Sequence, residues 1–189
     1  MSGSLPSPRG REQPEADLCL IARPLDFLAE VHLRERQICA LIDGIVSARA
    51  FDRRAAVSIL RFLNEEVCVH LRDEAEDLFQ ALAGRCRDDE SIDTVLTRVR
   101  ADQERATALL PEVRRALQVR LDSGGSLSDA DRAVLAQFAD RVRRHLIVEN
   151  AIILPMARAR LTRADLRRLA SGMRSRRGLS GTRELPDAE

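Results

Sequence analysis

Two short segments, His70-Leu71-Arg72-Asp73-Glu74 and His145-Leu146-Ile147-Val148-Glu149, share the spacing His-x-x-x-Glu. On an α-helix, residues i and i+4 lie on one face, so each segment presents an imidazole beside a carboxylate. Both segments fall within apolar stripes of helical period. One stripe is Ile59, Leu63, Val67, His70, Glu74, Leu78 and Ala81, and the other is Leu135, Phe138, Val142, His145, Glu149, Ile152 and Met156. An ionisable pair on a core-facing stripe is unfavourable unless it is paired or metal-bound. Two such helices facing each other can hold cations between them. The fold therefore has to place these four residues in an interior that can satisfy them.

Two more stripes complete a set of four. From Pro24, a residue suited to the first turn of a helix, the positions Leu25, Leu28, His32, Cys39, Ile42 and Val46 recur at helical spacing and put His32 on the inward side. Between about Ile92 and Leu121 the stripe is Leu96, Val99, Gln103, Ala106, Leu110, Val113 and Leu117, with Gln103 its single long polar residue. Pro111 predicts a kink or local break there, and Pro155 a bend near the end of the fourth helix. Asp52 is placed to cap a second helix that runs to about Ala83. Ser128 with Asp131 has the form of a capping box, and Thr162 with Asp165 starts a short fifth helix. Gly84 with the polar run Arg85 to Glu90 makes one turn, and the stretch from Asp122 to Ser126 makes another.

Four long helices joined by short links read as an all-α fold, an antiparallel up-down four-helix bundle with a short extra C-terminal helix. Residues 1–22, rich in Pro, Ser, Gly and Arg, are expected as a flexible N-terminal arm. Residues 23–161 would form the bundle, and 162–189 a short basic helix and tail.

Composition narrows the function classes. A hydrophobic content of 44% supports a packed interior, while 3% aromatics with no Trp or Tyr suits helices better than a β-sandwich. The net charge is only +1, although all 31 basic residues are Arg, so nothing draws the whole chain to nucleic acid or to a membrane. No apolar signal region opens the chain and no run is long enough to span a bilayer, so a cytoplasmic location is expected. Cys19, Cys39, Cys68 and Cys86 form no CxxC pair and read as reduced thiols. The Arg-rich stretch from Arg158 to Arg183 reads first as a solvated terminal helix and tail. A patch for a protein partner is the sharper reading of that run.

The assembled motifs resemble the hemerythrin-like, or HHE cation-binding, family. The segments that carry the resemblance are Glu30-Val-His32, His70-Leu-Arg-Asp-Glu74-Ala-Glu-Asp-Leu-Phe79 and His145-Leu-Ile-Val-Glu149-Asn-Ala-Ile-Ile-Leu-Pro155. The resemblance implies a non-haem di-iron site, with manganese or zinc as the lesser alternatives, that binds or senses O2, NO, peroxide or iron and redox state. Carried over position by position, His32, His70, Glu74, His145 and Glu149 are the implied metal ligands. Asp102-Gln103 stands where the family pattern has Glu-His, so Gln103 is the sixth candidate, a weak oxygen donor in place of an imidazole.

Blander readings stand beside these. His32 alone reads as a satisfied core histidine, and Gln103 equally as a core amide hydrogen-bonded to a site residue. Glu35, one turn beyond His32 and pointing roughly the same way, is a candidate support for the site but reads first as a partner of Arg34 or Arg36 through solvent. Cys68 reads as packing, and Glu66, Asp73 and Asp77 as solvated carboxylates or supports for the site. With three histidines to two glutamates, the donor balance favours reversible binding over oxygen activation, so a non-enzymatic protein is expected. A ferritin-like di-iron oxidative enzyme and a metal-poor helical interaction module are the other two classes.

Overall fold

The computed structural model describes residues 17–86 and 90–179, and every regular element among them is helical. The arm expected over residues 1–22 lies outside the described residues up to Ala16. Its last part, Leu18–Ala22, forms a 3-10 turn that buries Ile21. The expected tail lies outside the described residues from Ser180 onward, as does the centre of the turn after Arg85.

Helix α1 spans Pro24–Ser47 and forms the first of four rods. The second rod is built from α2 (Arg53–Glu65), α3 (Val67–Arg72), a π-helical turn over Asp73–Leu78, and α4 (Phe79–Arg85). The third consists of α5 (Glu90–Thr107) and α6 (Leu110–Ser123). The fourth consists of α7 (Asp129–Val148), a π-helical turn over Glu149–Ile153, and α8 (Leu154–Arg160). Helix α9 (Arg163–Arg176) follows. Starts behave as the sequence implies. Asp52 accepts from the Arg54 and Ala55 N–H groups, Ser128 from Asp131, and Thr162 with Asp165 closes a reciprocal capping box.

The rods contact one another in a ring: α1 lies against α2 and α7, α2 against α6, α4 against α5, and α5 and α6 against α7. Ion pairs fix relative direction. Asp26, at the start of α1, holds Arg158 of α8 at 2.8 Å, and Asp43, near the end of α1, holds Arg143 of α7.

The two breaks in the rods have local causes. Pro111 has no N–H for the Thr107 carbonyl, and the third rod breaks just before it, between α5 and α6. Pro155 likewise follows the π turn of the fourth rod. In each π turn a later N–H reaches back five residues: Phe79 donates to the Glu74 carbonyl, and Leu154 to the Glu149 carbonyl. The extra residue advances the inward stripe. Ile152 is 38% exposed, contrary to the periodicity, and Ile153 and Ala157 are buried instead. In the second rod Phe79 and Leu82 fill the core, and Ala81 is only half-buried.

The core divides into two apolar clusters. One holds Ile38, Ile42, Ile59, Leu63, Val113, Leu117, Leu135 and Val142. The other holds Leu28, Val31, Leu78, Phe79, Val99, Ile153, Leu169 and Met173. In every rod the polar inward residues fall between the two, so they make one layer across the interior.

Helix α9 corrects the reading of the C-terminal basic run as a solvated helix. Leu169, Ala170 and Met173 are buried in the second cluster, and α9 packs on the first π turn. Gly172 lets it come close, because a Cβ there would run into the Asp77 carboxylate.

Candidate metal centre

The polar layer joins residues from all four rods: His32 and Glu35 from α1, His70 and Glu74 from the second, Gln103 from the third, and His145 and Glu149 from the fourth. None is more than 5% exposed. The six candidates chosen from the sequence are thus brought together, and Glu35 joins them.

Glu74 is the most connected member. Its Oε1 lies 3.0 Å from His32 Nε2, and its Oε2 lies 3.6 Å from His70 Nε2. Glu149 Oε2 lies 3.6 Å from the same His32 nitrogen. The side-chain amide nitrogen of Gln103 donates to Glu74 Oε2 at 2.7 Å and to Glu149 Oε1 at 2.8 Å. Placed so, Gln103 is a hydrogen-bond donor that ties the two carboxylates together, because an amide nitrogen has no lone pair free for a cation. His32 Nδ1 stands 3.4 Å from Asn150 Oδ1, a contact that fits a ring carrying its proton on Nδ1 with Nε2 turned to the site.

Several atoms in this layer have no hydrogen-bond partner: both ring nitrogens of His70 and of His145, Glu35 Oε2 and Glu149 Oε2. Buried polar atoms without a protein partner are rare in folded proteins, and a cluster of imidazole nitrogens and carboxylate oxygens of this kind is a donor set that fits a cation. Nitrogens of His32 and His70 and an oxygen of Glu74 lie within 4.8 Å of one another, close enough to share one ion.

Electrostatics point the same way. Burial raises the Glu74 carboxyl well above its ordinary value. Burial also pushes Glu149 up to about 8, with the nearby Glu74 charge adding to the effect. Burial pulls the His70 imidazole down to about 3. For Glu35 burial acts upward, but His70, His145 and His32 together hold its carboxyl below the ordinary range. Burial would lower His145, and its pairing with Glu35 and Glu149 raises it instead. Such a cluster cannot ionise its carboxylates without positive charge, and a bound cation supplies that charge without protonating the imidazoles.

Glu35 is not among the six ligands expected from the sequence. The sequence puts it on the inward stripe as a support for the site but favours a partnership with Arg34 or Arg36 through solvent, yet Arg34 pairs with Glu66, Arg36 is exposed and Glu35 faces the centre. Its position one turn beyond His32, on the same stripe, was the available signal. Glu66, Asp73 and Asp77 are also paired, with Arg34, Arg176 and Arg177. Cys68 is exposed rather than packed. A cavity of about 200 Å3 opens beside His70, walled by apolar Leu18, Phe27, Val31 and Val69 and by charged Glu65, Glu66 and Arg177.

An all-helical fold around a buried layer of imidazoles and carboxylates defines a cation-binding helical domain. The chain belongs to the hemerythrin family: the Hemerythrin HHE cation binding domain matches residues 23–157. No curated protein and no solved structure matches the chain. Helix α9 lies beyond the matched region. No helix among the described residues is long and apolar enough to cross a membrane.

Proposed function

We propose that this chain is a non-haem di-iron protein that binds or senses a small oxidant such as O2, NO or peroxide. The observation that carries the reading is the convergence of partnerless buried nitrogens and oxygens from His70, His145, Glu35 and Glu149 within a family whose domain binds cations. The four rods are read as the antiparallel up-down bundle of that family, with α9 as an extra helix. Paired buried carboxylates with imidazoles suit iron or manganese ahead of zinc. His32, His70, Glu74, His145 and Glu149 would hold the metal, and iron so held would supply reversible binding of a small ligand. Gln103 orients the two carboxylates, Asn150 orients the His32 ring, and the cavity beside His70 leaves room for a small molecule.

The second reading, a ferritin-like oxidative enzyme, gains from Glu35, which brings the carboxylates facing the centre to three. Protein made in iron-replete cells and purified without added metal tests the proposal. Elemental analysis should give iron at about two per chain, with an optical spectrum in air that changes on adding azide or NO. Iron and manganese both at background would overturn it. Catalytic consumption of O2 with a reductant would favour the enzyme.

A further inference from the structure

Glu35 reaches the centre from a helix that, by the motif, contributes only a histidine. Its Oε2 lies 3.9 Å from His70 Nε2 and 3.9 Å from His145 Nε2. None of these three atoms has a hydrogen-bond partner, and none of the three residues is more than 2% exposed. A gap of 3.9 Å is too long for a hydrogen bond. It fits two donors on one cation, whose largest separation is about 4.2 Å for bonds of about 2.1 Å. On the other side of Glu74, His32 Nε2 stands near Glu74 Oε1 and Glu149 Oε2. The donors thus divide into two groups, with Glu74 facing both.

We infer that Glu35 is a metal ligand, completing with His70 and His145 one of two cation positions and standing in for the imidazole that the third rod lacks. The inference rests on the metal-binding reading above. The arginines beside Glu35 in sequence give it no partner, since Arg34 is engaged with Glu66 and Arg36 is exposed. Gln103 does not take its place, because it turns its amide nitrogen, which has no lone pair for a cation, to Glu74 and Glu149. The donor set then becomes three imidazoles and three carboxylates, so the balance read from the sequence, three to two, no longer separates reversible binding from oxidative chemistry.

The test uses the full chain as wild type, Glu35→Gln and Glu35→Asp, with manganese(II) and anaerobic ferrous iron as probes. Metal per chain is measured after desalting, and affinity by chelator competition. The wild type should hold two ions, and Glu35→Gln no more than one, with the second weakened at least about tenfold. Glu35→Asp, which keeps the charge on a shorter arm, should fall between them. The metal-free Glu35→Gln protein should melt within a few degrees of metal-free wild type, because the cost of burying the carboxylate and its attraction to the imidazoles oppose each other. Equal metal count and affinity in wild type and Glu35→Gln would overturn the assignment and leave the wider metal reading standing. No metal in any form would overturn both. A metal-free Glu35→Gln chain that melts well below wild type would also overturn the assignment, marking Glu35 as structural.

Discussion

The two His-x-x-x-Glu segments are alike in spacing and unlike in support. Each starts a π turn at its glutamate, and each glutamate carbonyl accepts the five-residue bond that defines that turn. Beside Glu74, however, Asp73 is fully buried and accepts from Arg176 Nε and Arg177 Nη2, both at 2.7 Å. Arg176 also reaches Glu76 and Asp77, and Arg177 lies 4.7 Å over the Phe27 ring. Beside Glu149 the matching position is Val148, only half-buried, with Ile147 exposed at 67% and Asn150 bonded within its own helix. The first segment is braced by a helix outside the matched domain, and the second by its own rod and by the contact of Asn150 with His32. Spacing tells which residues share a centre, but it does not tell which of them carries the most connections.

The largest expected effect tests that asymmetry at the metal. Glu74 faces both His32 and His70, whereas Glu149 faces His32 and Gln103. Glu74→Ala should therefore empty the centre, while Glu149→Ala should retain part of the metal at reduced affinity. Metal analysis of the two variants beside wild type decides it. Equal losses would make the two segments equivalent and break the comparison.

Next comes the brace. Asp73→Ala removes the buried carboxylate that Arg176 and Arg177 share, leaving Arg176 with Glu76 and Asp77, and losing a buried charged partner of this kind costs about 3 kcal/mol. Val148→Ala, at the same place in the other segment, should cost about 1 kcal/mol. Urea unfolding of both variants, metal-free, gives the two numbers directly. Asp73→Asn should lie between wild type and Asp73→Ala. If Asp73→Ala falls no further than Val148→Ala, α9 does not support the centre.

The brace also marks where sequence reading stops. The inward stripes, the helix starts and the joint placement of His32, His70, Glu74, Gln103, His145 and Glu149 were legible, because helical period and capping are local. Asp73 was not. On an unbroken helix it sits one step off the stripe and reads as solvated, and its partners lie 103 and 104 residues away. The C-terminal run was misread for the same reason: its charge was visible, but the acidic face it meets was not. The π turns were hidden as well, because a one-residue advance of the stripe leaves both Ile152 and Ile153 as plausible core residues. Glu35 was legible as an inward residue but not as a neighbour of His70 and His145, because both lie on other rods.

The smallest expected effect concerns the link between the two segments. Gln103 donates to Glu74 and to Glu149 from one amide, so it holds the two carboxylates in a fixed relation. Gln103→Ala removes both bonds and leaves a gap near the centre. In the metal-free protein the loss should be about 1 kcal/mol, because a hydrogen bond contributes modestly net of solvation. Metal affinity should fall about tenfold, the range seen when a group that orients ligands is removed. The number of ions per chain should stay the same, since the amide donates to carboxylates and not to metal. Gln103→Glu sharpens the point, because it replaces the donor with a further negative charge between two carboxylates. It should lower metal-free stability more than Gln103→Ala, and bound cations should recover part of that loss. A Gln103→Ala protein short of one ion would instead show that the amide turns its oxygen inward when metal is present. The third rod would then supply a ligand, and the two segments would be joined through metal rather than through a hydrogen-bonded amide.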